Sequence, residues 1–170
     1  MNANPFPRVT ARPSAIPLPR VSREFLPRAA LAALFLMVTY QFDWEWLRFL
    51  TSESALRVSA LLGRATARVS LDTINVQGQL FQIGIACTFV DVFLGSIPLL
   101  WDLKKTLRQN ASWLLAVAMI FFVFNIFRLE IAQGLYFRGV PWIVADEVLG
   151  GFSYFAVWLF LWHQRTWKWA

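Results

Sequence analysis

The run Trp113-Leu-Leu-Ala-Val-Ala-Met-Ile-Phe-Phe-Val-Phe-Asn-Ile-Phe-Arg128 decides how this chain folds. From Trp113 to Phe124 every side chain is apolar, and the apolar character continues past Asn125, Arg128 and Glu130 to about Phe137. A helix that is hydrophobic all round belongs inside a large core or inside a bilayer. The rest of the chain decides between them. Its 170 residues are 58% hydrophobic and only 15% charged, against roughly 45–50% and about 25% in an ordinary soluble domain. The mean hydropathy is +0.51. So short a chain leaves much of its surface exposed and cannot bury that much apolar area in one soluble core. The composition therefore argues against a soluble enzyme and for an all-α integral membrane protein.

Outward from this run, three more apolar stretches approach the ~20 residues that cross a bilayer. They are Ala29 to about Phe49, Leu80 to Trp101, and Ile143 to Trp162, giving four predicted transmembrane helices with Trp113 to Phe137. Trp44, Trp46, Trp101, Trp113, Trp142 and Trp162 fall near the ends of these runs, where amphipathic rings favour the membrane interface. Arg8, Arg12, Arg20, Arg23 and Arg28 precede the first span. Lys104, Lys105 and Arg108 lie between the second and third, and Arg165 and Lys168 follow the fourth. An even number of spans puts these segments on one side, which the positive-inside rule makes cytoplasmic. The net charge of +6 is then a topology signal, and no nucleic-acid partner is inferred from it. The expected location is the bacterial inner membrane, with both termini inside and the lipid bilayer as the first partner. Asp43-Trp44-Glu45-Trp46 offers no small-residue cleavage site, so the first span reads as an anchor.

Residues 1–28 hold six of the eight prolines and predict a basic, Pro-rich cytoplasmic arm, because proline is excluded from helix interiors. Residues 163–170 form a short cytoplasmic tail. Residues 52–79 are expected outside. Ser52 or Ser54 can cap a short helix with an apolar stripe of Leu56, Ala60, Leu61 and Leu62. Val69, Leu71, Ile74 and Val76 approximate a period of two, and Gln77-Gly78 marks a turn before Leu80. A small external helix and hairpin subdomain follows.

Cys87 is the only cysteine and His163 the only histidine, which excludes a disulfide framework and multi-histidine or multi-cysteine metal sites. No cofactor is expected. His163 falls at the cytoplasmic end of the fourth span, where a solvated imidazole competes with ligation of a haem or chlorophyll magnesium. The Trp- and Phe-rich faces suit lipid, a partner helix or a pigment.

Ionisable groups inside a span are costly and point to a site. The candidates are Asp91, Arg128, Glu130, Asp146 and Glu147. At ~1.5 Å per residue, Cys87 lies roughly 22 Å from the inner end of its span, Arg128 roughly 24 Å and Asp146 roughly 25 Å. Three helices thus bring a thiol, a guanidinium and a carboxylate to one level near the outer face, with Asp91 expected one turn from Cys87 on the same helix face. A fixed cation beside a thiol favours the nucleophilic thiolate and can stabilise the oxyanion of acyl transfer. The plainer alternative is that Cys87 packs as a small apolar residue and Arg128 pairs with a carboxylate, Asp146 first and Asp91 next.

The order of these elements resembles the exosortase/archaeosortase family. The resemblance is carried by Ala55-Leu-Arg-Val-Ser-Ala-Leu-Leu-Gly63, Ile85-Ala-Cys87-Thr88 and the basic loop Leu103-Lys-Lys-Thr-Leu-Arg108. Phe124-Asn125-Ile-Phe-Arg128 and Ala145-Asp146-Glu147 with Gly150 and Phe152 complete it, over roughly Leu26 to Trp162. It implies a membrane-embedded cysteine protease or transpeptidase that processes C-terminal sorting signals of exported proteins. It also implies a Cys, Arg and His triad, of which Cys87 and Arg128 match the first two members. Thr88, Asp91 and Asn125 stand beside them as supporting residues. The third position reads Asp146, and Phe89 stands where a glycine follows the Cys-Thr pair. An imidazole exchanges protons near neutral pH, and an ionised carboxylate is a much poorer base. Two readings follow: a catalytically impaired relative kept as a structural or assembly subunit of a larger membrane complex, or an active enzyme using Cys87, Arg128 and Asp146. The lost histidine favours the first.

Overall fold

The computed structural model describes residues 25–167. The expected Pro-rich arm lies almost wholly outside this range, as do residues 168–170, and the side chain of His163 is outside the described residues. The chain is predominantly helical. Helices α1 (Phe25–Thr39) and α2 (Glu45–Leu61) lead into strands β1 (Thr66–Arg68), β2 (Thr73–Val76) and β3 (Gln79–Gln82). A 3-10 turn, Ile85–Thr88, precedes α3 (Val90–Leu100), α4 (Leu107–Tyr136), a π-helical turn Ile143–Val148 and α5 (Leu149–Trp167).

Helix α4 is the decisive run, extended at its start. Thr106 and Gln109 form a reciprocal capping box, which satisfies two of the otherwise orphaned backbone donors. Its 30 residues make it the one helix, among the described residues, long and apolar enough to cross a bilayer; α1 and α3 are shorter apolar helices. The other expected spans are divided.

The run from Ala29 to Phe49 breaks after Thr39, whose hydroxyl donates back to the Phe35 carbonyl. Trp44 then adopts a left-handed backbone (φ 49°), with its indole N–H donating to Thr39 O at 2.7 Å, and α2 starts at Glu45. Helix α2 therefore begins earlier than a Ser52 cap would place it. Ser52 instead sits buried inside α2 and donates to Leu71 O, tying the helix to the sheet.

The run from Leu80 to Trp101 divides into strand, turn and helix. Phe89 is left-handed (φ 65°), which interrupts the helix between Cys87 and Asp91. These two residues thus do not share a continuous helix face, contrary to the expectation from spacing. Arg28 reaches across from α1 to donate to Trp101 O at 3.0 Å, at the end of α3, where a cation complements the exposed carbonyls.

The expected hairpin is present and gains a third strand. The sheet is antiparallel in the order β1-β2-β3, with Val76 opposite Gln79 and Thr66 opposite Val76. Gln77 and Gly78 both have positive φ (53° and 84°), the geometry of the two-residue turn whose twist matches that of the strands. Ile74, Val76 and Phe81 pack on Ala55, with Tyr136, Phe137 and Trp142 against them. A second core joins Leu47, Phe89, Val90, Val117 and Phe121 beneath the Cys87 turn. Ion pairs Arg48–Asp72 and Arg68–Glu53 fasten the sheet to α2. Arg68 first, and then Arg57, holds the Glu53 carboxyl below its usual range through hydrogen bonds.

Candidate functional site

Arg128 projects from α4 and is 8% exposed. Its Nη1 donates to Asp146 Oδ1 at 2.6 Å, as the depth argument predicts, and to the Asp146 carbonyl at 3.4 Å. Asp146 reaches this position from the π-helical turn, the type of local widening that concentrates at functional sites. Gly150, one turn further on, leaves the space the guanidinium fills: a Cβ there would collide with Arg128 Nη1.

Asn125, wholly buried one turn before Arg128, is the hub. Its Nδ2 donates to the Cys87 carbonyl at 2.7 Å. Its Oδ1 accepts from Tyr154 O–H at 2.7 Å and from Arg128 Nε at 3.3 Å. One amide therefore joins the Cys87 turn, α4 and α5. The Arg128 guanidinium also lies over the Tyr154 ring, 5.4 Å from its centroid, a favourable cation–π placement. Compared with known proteins, the chain matches no family model, no curated protein and no solved structure.

The sequence-derived candidates divide around this hub. Cys87, Asn125, Arg128 and Asp146 converge. Cys87 is half-buried and within electrostatic reach of Asp146, Arg128 and Asp91. Asp91 serves a different contact: it accepts a hydrogen bond from Tyr40 O–H at 2.8 Å and caps the Val92 N–H. It ties the loop after α1 to the start of α3 and does not pair with Arg128. Thr88 is buried and turns its hydroxyl onto the Ile85 carbonyl at 2.6 Å, so it closes the 3-10 turn and presents no group to the thiol.

Glu130 belongs to a second cluster near the C-terminal end of α4. Ser59 donates to both of its carboxylate oxygens at 2.9 Å, Arg64 pairs with it at 2.9 Å, and Gln133 completes the group. A small cleft of about 160 Å³ lined by Gln79, Leu80, Phe81, Gln82, Tyr136 and Trp142 lies beside β3, and Cys87 does not line it. Among the described residues, no three His, Cys, Asp or Glu side chains converge as a metal site would require.

Tyr154 and Tyr40 are the functional-site residues that sequence reasoning missed. The available signal was their hydroxyls. A tyrosine in a run otherwise built from Phe, Trp and Leu carries a polar group that must find a partner when buried. Tyr154 stands two helical turns beyond Asp146 and reaches the same cluster through Asn125.

Chemically, the cluster provides a thiol and a cation, but its carboxylate is committed. Asp146 neutralises Arg128 directly, and Asn125 and Tyr154 hold the guanidinium from the other side. The arrangement satisfies a buried charge well, and it leaves Asp146 engaged with Arg128 and not with Cys87.

Proposed function

We propose that this chain is an exosortase-like membrane protein whose thiol site has become structural, and that it serves as an assembly subunit of a larger membrane complex. The 30-residue apolar α4 and the apolar composition support membrane insertion, and ten of the sixteen basic residues fall on one side of the expected spans. The orientation that follows has both termini in the cytoplasm of a bacterial inner membrane. Large apolar side chains exposed along α4 and α5, among them Ile120, Phe127, Phe152 and Phe155, suit lipid or partner helices. The observation that carries the loss of catalysis is the Arg128–Asp146 pair. The carboxylate that stands where the family has its histidine acts as a counter-ion, and the pair stabilises the packing of α4 on the turn before α5.

One observation favours the second reading, an active cysteine protease or transpeptidase acting on exported-protein sorting signals. Cys87 is only half-buried and lies within reach of the Arg128 charge.

Alkylation of Cys87 in mild detergent separates the two. The structural reading expects slow labelling by iodoacetamide at neutral pH, unchanged in Arg128→Gln, and faster labelling in Asp146→His. It also expects Cys87→Ala to leave the size of the mildly solubilised complex unchanged. Fast labelling of the unmodified protein near neutral pH, abolished by Arg128→Gln, would replace this reading with the enzymatic one.

A further inference from the structure

The start of α4 carries a feature that neither the thiol site nor the sheet uses. An open groove of about 540 Å³ is lined by Lys105, Arg108, Gln109, Ser112, Trp113 and Ala116. We propose that this groove binds the headgroup of an anionic phospholipid from the cytoplasmic leaflet, with an acyl chain lying along α4. The proposal rests on the membrane reading above.

Charge defines the head of the site. Among the described residues no carboxylate pairs with Lys105 or Arg108. The loop's one acid, Asp102, turns its Oδ1 onto the Lys104 backbone N–H at 2.9 Å. The helix N-terminus is not the ligand-binding element, because Thr106 and Gln109 already cap each other. Two basic side chains, with the Ser112 hydroxyl beside them, remain to meet a phosphate.

The apolar continuation separates a lipid from a free anion. Gln109, Trp113, Ala116, Ile120, Val123 and Phe127 recur at helical spacing, and all are exposed. They form one stripe leading away from the basic groove. Half of a ~30 Å hydrocarbon core is ~15 Å, which is about ten residues of helix. A single-leaflet acyl chain starting at Trp113 would therefore end near Val123, on this stripe throughout. Trp113 at the junction suits the boundary between headgroup and hydrocarbon. A soluble phosphate would use the basic end and leave the stripe unexplained.

The test uses the full-length protein in detergent micelles, examined by native mass spectrometry with added phosphatidylglycerol or phosphatidylcholine. Wild type should retain phosphatidylglycerol in preference, and Lys105→Gln/Arg108→Gln should lower that retention about tenfold, since each cation near an anionic headgroup contributes appreciably. Arg57→Gln, an exposed change on α2, should leave retention as it is. Equal retention of the two lipids, an unaffected double variant, or an equal loss in Arg57→Gln would overturn the proposal. Displacement of the lipid by inorganic phosphate would overturn it too, and assign the groove to a free anion. Alkaline carbonate extraction of cell membranes tests the underlying reading separately. Release of the protein refutes membrane insertion, whereas retention without lipid preference refutes the groove alone.

Discussion

Replacing Asp146 by Asn keeps the shape of the side chain and removes only its charge. Arg128 and Asp146 are 8% and 9% exposed, and their contact is 2.6 Å. For unit charges about 4 Å apart at an effective dielectric near 20, the Coulomb energy is about 4 kcal/mol. Removing one partner of a buried pair costs about 3–5 kcal/mol, because the other charge stays buried without compensation. Asn125 Oδ1 and the Asp146 carbonyl still accept from Arg128, which places the expected loss near the lower end of that range. At about 2–4 °C per kcal/mol for a chain of this size, Tm should fall by roughly 6–12 °C. Thermal unfolding in detergent, followed by far-ultraviolet circular dichroism, measures it. Arg128→Met alone should cost a similar amount, and the double variant less than the sum, with a coupling of about 1–3 kcal/mol. An Asp146→Asn protein that melts with wild type, or strictly additive single variants, would refute the idea that this pair holds α4 to the turn before α5.

Gly150→Ala should act on the same pair by displacement. The added Cβ meets the guanidinium, with Arg128 Cζ at 3.4 Å, so about 1–3 kcal/mol should be lost on unfolding, and Arg128→Met should relieve the penalty. Acid should loosen the sheet through Asp72. Burial alone would raise its carboxyl, but hydrogen bonds from Ser70, Gln82 and Thr73 and the Arg48 charge together hold it below its ordinary value of 3.8. A folded value below the unfolded one stabilises the sheet above that pH, and the support disappears as pH falls through the folded value. Amide-exchange protection in β1–β3, measured against the intrinsic rate at each pH, should therefore fall below about pH 3.8 in wild type, and Asp72→Asn should show little further change there. In a Cys87→Ala background, a membrane-impermeant maleimide should label Leu80→Cys on intact cells and Leu107→Cys only after permeabilisation; the opposite pattern would invert the topology.

Much of this was legible in the sequence, and the misses share a cause. The uninterrupted apolar run announced α4, Gln77-Gly78 announced its hairpin, and depth matching paired Arg128 with Asp146. The breaks at Trp44 and Phe89 were not legible. A large aromatic residue rarely adopts a left-handed backbone, and hydropathy runs smoothly across Phe89; at Trp44 only the polar Gln41, Asp43 and Glu45 interrupt the apolar run. The surrounding packing decides them: the Trp44 indole finds the Thr39 carbonyl, and Phe89 sits in the core with Leu47 and Phe121. Asp91 was misread for the same reason, since its partner Tyr40 lies 51 residues away. Tyr154 was hidden by its surroundings, because composition alone cannot tell a ring that packs from a ring whose hydroxyl is held.

The two charged residues near the end of α4 meet their partners at different moments of synthesis. Glu130 pairs with Ser59 and Arg64, which precede it by 71 and 66 residues, so its companions already exist when it is made. Arg128 emerges without its counter-charge and must wait for Asp146, 18 residues later. The Asn125 hub waits longer, until Tyr154 arrives 29 residues after it. A chain halted between Gln133 and Asp146 would hold a finished Ser59–Arg64–Glu130 cluster and an Arg128 guanidinium without its counter-charge, which is costly when buried. Among the described residues, the Asn125 hub thus closes only once the first turns of α5 have been made.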